Sequence, residues 1–200
     1  MRRRLRPALD ASAYQVVRDN RAWNDHILRT LCTAAAIAWL EPKTIVDPAC
    51  GDGSIVLAAA RLWPLDGVVL ADISSPQIED LRQRFPFPFI AKVTTHCEDA
   101  NETLRQSASI ALADVVVMTE ILEHVEVPEA LLQEARKAGR FLVASSPLNE
   151  FEATGNHEHV WGWDRDGYRE MLESTGWVPI AYQELSFFPP FYTFQLWVCK

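Results

Sequence analysis

Two hundred residues, 48% of them hydrophobic, suffice for one domain with a sizeable core and leave little room for a second. The formal net charge is -8, and four of the 19 basic residues crowd into the first six positions, so the rest of the chain sets 15 basic against 27 acidic side chains. An acidic body opposes broad binding to phosphate backbones, and Cys32, Cys50, Cys97 and Cys199, scattered without a CxxC pair, point to reduced thiols in a cytoplasmic setting rather than to disulfides or structural zinc.

The basic start, Arg2-Arg3-Arg4-Leu5-Arg6, runs into Pro7 and Asp10 instead of an apolar stretch, so it reads as a solvated, mobile tail and not as a secretory signal. From about Tyr14 to Trp39 the pattern is mainly helical and ends at Pro42. The apolar run Ile27 to Leu40 is 14 residues long and contains Arg29, which suits a buried helix and not a membrane span. Tyr14, Trp23 and His26 read as core positions of this region, with closure of a ligand site as the other use of such side chains. Residues 1–40 are thus expected to be a tail and helices packed on a ligand-binding domain spanning 41–200.

The informative stretch is Thr44-Ile45-Val46-Asp47-Pro48-Ala49-Cys50-Gly51-Asp52-Gly53-Ser54: an apolar strand, a glycine turn, then the helical run Ile55 to Trp63. Glycines there let the backbone turn sharply and approach a ligand, and the helix start presents unpaired N–H groups, a fit for a nucleotide-like cofactor. Asp72 closes the next apolar run about 20 residues on, where a carboxylate reaches ribose hydroxyls.

Downstream the pattern alternates. Strands are expected at Val68–Ile73, Phe89–Thr95, Asp114–Met118 and Phe141–Ser145, with helices at Pro76–Arg84, Pro128–Ala138 and a short stretch around Leu104. Such alternation implies a parallel sheet covered by helices on both faces. After a helix at Asp164–Ser174, the runs Val178–Phe187 and Phe191–Cys199 are separated only by the Pro189-Pro190 break and must pair antiparallel. The fold expected is a Rossmann-like α/β sheet of seven mostly parallel strands ending in an antiparallel hairpin.

In open α/β sheets ligands sit beyond the carboxyl ends of the strands, where this chain places Asp47, Asp72, Glu98-Asp99, Glu120 and Ser145-Ser146. Asp52 and Glu98 are better read as helix-capping or loop acids. In Glu120-Ile121-Leu122-Glu123-His124, a helical turn would project Glu120, Glu123 and His124 to one side, forming either a metal triad or an acid/base cluster. The long stretch Pro147 to Trp163, with Asn149, His157, His159, Trp161 and Trp163, reads as a lid or substrate wall.

These motifs resemble the class I S-adenosylmethionine-dependent methyltransferases. Asp47, Gly51 and Gly53 match the first motif, with Ala49 standing where its first glycine would be; Ala71-Asp72-Ile73-Ser74-Ser75-Pro76 is similar to the second. The resemblance makes Asp47, Ala49, Gly51, Gly53, Asp72, Ile73, Asp99, Ala100 and Glu120 candidate contacts to S-adenosylmethionine, with Asp99 accepting from the adenine amino group. Glu120, His124 and His157 are candidate catalytic groups. A narrower resemblance, to the small-RNA 3′-terminal 2′-O-methyltransferases, implies that Glu120, Glu123, His124 and His159 hold Mg²⁺ or Mn²⁺ against terminal ribose hydroxyls. Quinone-biosynthesis O-methyltransferases carry a similar Glu-x-Leu-Glu-His-Val stretch without a metal cage.

The expected activity is methyl transfer to an oxygen of a small-molecule acceptor, with the RNA 3′ end or a non-catalytic cofactor-binding partner as alternatives. A nicotinamide-dependent oxidoreductase is disfavoured by the terminal hairpin and by Ser54-Ile55-Val56 after Gly53, which leaves Gly-x-Gly-x-x-Gly incomplete. The absence of an Asn/Asp-Pro-Pro-aromatic motif at Thr119-Glu120-Ile121-Leu122 counts against adenine N-methylation.

Overall fold

A computed structural model describes residues 1–17, 24–84, 86–151, 156–186 and 193–200. Short apolar runs and amphipathic runs alternate along it. After β1 (Arg2–Arg4) and a 3₁₀ turn (Ala11–Tyr14) come α1 (Asn24–Trp39), β2 (Thr44–Asp47), α2 (Ser54–Leu62), β3 (Gly67–Asp72), α3 (Ser75–Gln83) and β4 (Val93–Cys97). The chain continues through α4 (Ala100–Ile110), β5 (Ala113–Thr119), α5 (Pro128–Ala138), β6 (Gly139–Pro147), β7 (Trp161–Trp163), α6 (Arg165–Ser174), β8 (Pro179–Ser186) and β9 (Thr193–Cys199). No helix among the described residues is long and apolar enough to cross a membrane.

Seven strands form one sheet in the order β4-β3-β2-β5-β6-β9-β8. The first five are parallel, and β9 runs antiparallel to both β6 and β8. Consecutive strand residues point to opposite faces, so Ile45, Val115, Val117 and Val143 join a core under α1, α2 and α3. Their neighbours Val46, Val116, Met118 and Leu142 join a second core under α4, α5 and α6. α5 shows how the cover is specified: Pro128 opens it, Leu131, Leu132, Ala135 and Ala138 make its buried stripe, and Arg136 and Lys137 sit in the last turn, favourable to the helix dipole. Strand order reverses between β2 and β5, and a crevice opens beyond their carboxyl ends.

Several expectations need correction. In the region expected to be mainly helical, α1 covers Asn24–Trp39, while Trp23 and the Pro189-Pro190 break lie outside the described residues. The strand expected at Phe89–Thr95 begins at Val93, because Phe89 has φ +70° and Pro88 precedes it, which holds that segment in a turn. The short stretch around Leu104 is a full helix of 11 residues, its start capped by the Asp99 carboxylate.

The largest correction concerns the basic start, which is not a solvated tail. Arg2–Arg4 pair antiparallel with Trp161–Trp163, a short second sheet. The Arg2 guanidinium lies 3.8 Å from the Trp161 ring centre and pairs with Glu129; Arg4 pairs with Glu126. Further along, the Gln15 amide donates to Ile73 O (2.8 Å) and the Ser74 hydroxyl donates to Val16 O (2.8 Å), so residues 1–17 strap the top of the sheet. Two carboxylates and a half-buried aromatic face, distant in sequence, offset the charge run.

Candidate active site

The crevice holds a cavity of about 630 Å³. One wall comes from the turn after β2. Gly51 and Gly53 both have positive φ (+51° and +71°), a conformation that L side chains rarely adopt. A Cβ on Gly51 would meet nothing within 4 Å, whereas one on Gly53 would lie 2.8 Å from Leu81 Cδ1. Gly51 therefore keeps the cavity wall open, and Gly53 lets α2 pack on α3. Asp47 is buried beneath this turn, accepts from Ala49 N–H (3.3 Å), and does not line the cavity; burial pushes its carboxyl up to about 8.

Ala49, Gly51, Asp72, Ile73, Asp99 and Ala100 do line it. Asp72 is locked from both sides, accepting from Gly51 N–H (3.0 Å) and Ser74 N–H (2.8 Å), so the second strand end and the glycine turn hold each other. Asp99 accepts from Asn101 N–H (2.9 Å) as the cap of α4. Asp52 and Glu98 are local acids, as read: Asp52 accepts from Ser54 N–H (3.0 Å) and Glu98 from the Thr103 hydroxyl (2.9 Å).

The opposite wall comes from the end of β5. Glu120 sits at φ +54°, a costly backbone conformation for a residue with a Cβ, and accepts from the Ser145 hydroxyl (2.8 Å). Glu123 is only 1% exposed, and neither of its carboxylate oxygens has a hydrogen-bond partner among the described residues. Burial, reinforced by the negative charge of Glu120, holds its carboxyl well above the usual carboxylate range. One potential ligand atom each from Glu123, His124 and His159 lie within 4.8 Å of one another. Glu120 is not in that group; its ionic partner is Arg29, at 3.4 Å.

Both imidazoles are held through Nδ1. His124 Nδ1 lies 3.1 Å from Glu158 O, which only accepts, so Nδ1 carries a proton. His159 Nδ1 faces the Glu150 carboxylate in the same manner. A ring N–H held by a carbonyl or carboxylate, with the other nitrogen turned to a ligand, is how metal-binding histidines are oriented. A buried carboxylate without a donor and two such imidazoles fit a divalent cation. His157 is exposed and does not line the cavity, while the 147–163 stretch contributes Pro147, Asn156 and His159 to the wall.

Sequence reasoning missed Arg29 and, from the strap, Leu9 and Ala11, which line the cavity; Tyr14 and His26 line it as well, in keeping with the second of the two uses read for them. Arg29 is 3% exposed, lines the same cavity, and has no hydrogen-bond partner for Nε or Nη1 among the described residues. Leaving each such donor unmade costs about 1–3 kcal/mol. An arginine inside an otherwise apolar helical run was the available signal, since arginine is almost never fully buried without a partner.

Known proteins agree with this architecture. A family model described as a methyltransferase domain matches residues 45–140. Magnesium protoporphyrin IX methyltransferase (ChlM) from Synechocystis PCC 6803 with bound SAH superposes with a TM-score of 0.67 at 17% identity, over 88% of this chain and 84% of that one. The methyltransferase domain of bacterial CtHen1-CN gives 0.64 at 15%, over 88% and 100%. The [4+2]-cyclase SpnF gives 0.66 at 16%, over 91% and 83%. At such identities the likeness is one of fold, and a cyclase among the neighbours illustrates that this fold does not dictate one reaction. No curated protein matches the sequence significantly. The glycine turn, the acid closing the second strand and the seven-stranded sheet with its antiparallel end give this chain the fold of these methyltransferases, and its residues 45–140 match a methyltransferase domain.

Proposed function

We propose that this protein transfers a methyl group from S-adenosylmethionine to an oxygen of a small-molecule acceptor, in the cavity beyond β2 and β5. The observation that carries this reading is continuity: one cavity, within the usual range for ligand pockets, runs from Gly51, Asp72 and Asp99 to Glu120, His124 and His159. When bound, S-adenosylmethionine supplies an electrophilic methyl group on a sulfonium. The chain does the rest. Asp72 and Asp99 keep lone pairs beyond those used by their backbone donors, for ribose hydroxyls and the adenine amino group. Leu9, Ile121, Val125 and Phe194 exclude water, which fixes the approach of the two reactants. His124, with its lone pair on Nε2, takes the acceptor hydroxyl proton. Exposed His157 has no part in this scheme. The expected result is that His124→Ala lowers methyl transfer about 100-fold or more while S-adenosylhomocysteine affinity, measured by calorimetry, stays within about twofold. Loss of both in parallel would reject this role.

A second reading rests on the Glu123, His124 and His159 group. A divalent cation bound there would lower the pKa of an acceptor hydroxyl, and its imidazole donors favour Mn²⁺ over Mg²⁺. The acceptor would then be a vicinal diol such as an RNA 3′ end, although the acidic body favours a small diol. Titrating Mn²⁺ into chelator-stripped protein saturated with S-adenosylhomocysteine decides: stoichiometric heat, lost in Glu123→Ala and His159→Ala, establishes the cage. No heat leaves His124 as a metal-free base.

A further inference from the structure

α1 and α6 cover the β8 end of the sheet from its two faces, and they differ in what they show to solvent. On α6 the exposed positions are Arg165, Asp166, Arg169, Glu170, Glu173 and Ser174, the charged surface of a solvated helix. On α1 they are Asn24, Ile27, Leu31, Ala35 and Trp39, and the two charged residues of that helix, Asp25 and Arg29, are buried. Helices that are apolar on the outer as well as the inner face belong in an interior. Leu31 is 58% exposed and Trp39 62%; on the neighbouring α2, Leu62 is 59% exposed. α1 leads into β2 and α2 into the parallel strand β3, so both helices end at the same edge of the sheet, and Trp39 and Leu62 stand at the same end of this two-helix layer.

We propose that the outer face of α1 and α2 is the contact surface of a homodimer, in which α1 packs antiparallel against its copy about a two-fold axis at the level of Thr33. The spacing carries the choice of partner. Ile27, Leu31, Ala35 and Trp39 recur every four residues and form one ridge about 18 Å long. Reversed on itself, the ridge sets Leu31 against the partner subunit's Ala35 and Ile27 against the partner subunit's Trp39, so a large side chain meets a small one at the centre and an indole closes each end. Charge selects the same partner. The chain carries a net charge of -8, so two copies repel unless they meet on a surface without charge, and this ridge has none. A basic or acidic partner would find no counter-charge on it. The area suffices for association of modest strength. The 16 residues of α1 rise about 24 Å and two adjacent helices are about 20 Å wide, which gives about 500 Å² per copy and about 1,000 Å² for the pair, the lower bound for a specific interface. Because the inner face of α1 carries His26 and Arg29 to the cavity wall, pairing on the outer face also braces that wall.

Sedimentation equilibrium of the full chain over a wide concentration range tests this. The expected result is a reversible rise from 22.6 kDa to twice that mass, half complete on the order of 10–100 µM, the strength of a small interface. High salt should not weaken it, because no ion pair holds it and screening relieves the repulsion of two acidic bodies. Leu31→Glu places a charge at the centre of the contact and should weaken association about 30-fold or more. Ala35→Trp should weaken it about tenfold or more, since the added ring collides with the partner subunit's Leu31; on a face of unspecific adhesion, a larger apolar side chain would strengthen it. Ile110→Glu, at an exposed apolar position of α4 on the other face of the sheet, should change nothing. A wild type that stays monomeric at the highest concentration overturns the proposal, and a monomer that cosediments with phosphatidylcholine vesicles overturns it in favour of a lipid surface. Association untouched by Leu31→Glu, tightened by Ala35→Trp or equally lost in Ile110→Glu overturns it as well.

Discussion

Asp72 and Glu123 are two acids near the carboxyl ends of parallel strands in one sheet, and they are held in opposite ways. Asp72 accepts two backbone N–H groups, from Gly51 and Ser74, and so belongs to the architecture of its wall. Glu123 is almost wholly buried with neither oxygen accepted by a described residue. One wall of the cavity is satisfied before any ligand arrives; on the other side, Arg29 in the wall and Glu123 behind it keep unmade interactions. Substitutions on the first wall should therefore lose stability and binding together, whereas on the second they should separate the two, the usual trade between stability and a functional site.

The largest effect is expected at Asp72→Ala. Two backbone donors lose their acceptor, which costs about 2–3 kcal/mol in total, and S-adenosylhomocysteine affinity should fall about tenfold or more. Urea denaturation and calorimetry measure the two losses, and a stable variant with weakened binding would erase the contrast between the walls.

Glu123→Gln should behave otherwise. The folded-state pKa of Glu123 is raised, so the folded protein binds more protons than the unfolded chain once pH exceeds the unfolded carboxyl value. The resulting contribution is full below about pH 4.3 and is lost as pH rises through the folded value. Asp47, pushed up to about 8, adds the same sign over the window from about pH 4 to that value. The wild type should thus lose stability between pH 5 and pH 9, and Glu123→Gln should lose less, gaining about 1–3 kcal/mol on the wild type at pH 9. Denaturation series at the two pH values check this, and a variant less stable than the wild type at pH 9 would show that Glu123 is structural after all.

The smallest effect belongs to the strap. Arg4 and Glu126 are both about half exposed, so Arg4→Ala should cost no more than about 1 kcal/mol and lose even that at high salt. Because the strap also lines the cavity, the same change should raise the dissociation rate of S-adenosylhomocysteine a few-fold in stopped-flow displacement. An unchanged rate would restrict residues 1–17 to a packing role.

How much was legible follows the same division. The glycine turn, Asp72 and Asp99 act through neighbours one to three residues away or through the next strand end, and periodicity with turn chemistry reports such relations. The parallel sheet, the terminal hairpin and α5 were legible for that reason. Missed or misread were the elements whose partners are remote in sequence. β1 pairs with β7 some 160 residues later, and its arginines find Glu126, Glu129 and Trp161. Read alone, four arginines in six residues look solvated.

By itself the sequence determined the layer order of the fold, the turn that opens the cavity and the acids at the strand ends, because backbone conformation and side-chain alternation are local properties. Tertiary structure decided which of those acids are satisfied. It gathered Glu123, His124 and His159, left Glu120 opposite Arg29, and carried His157 out to the surface. Side-chain direction at a strand end depends on what the neighbouring strands and helices leave open, and spacing along the chain does not encode that space.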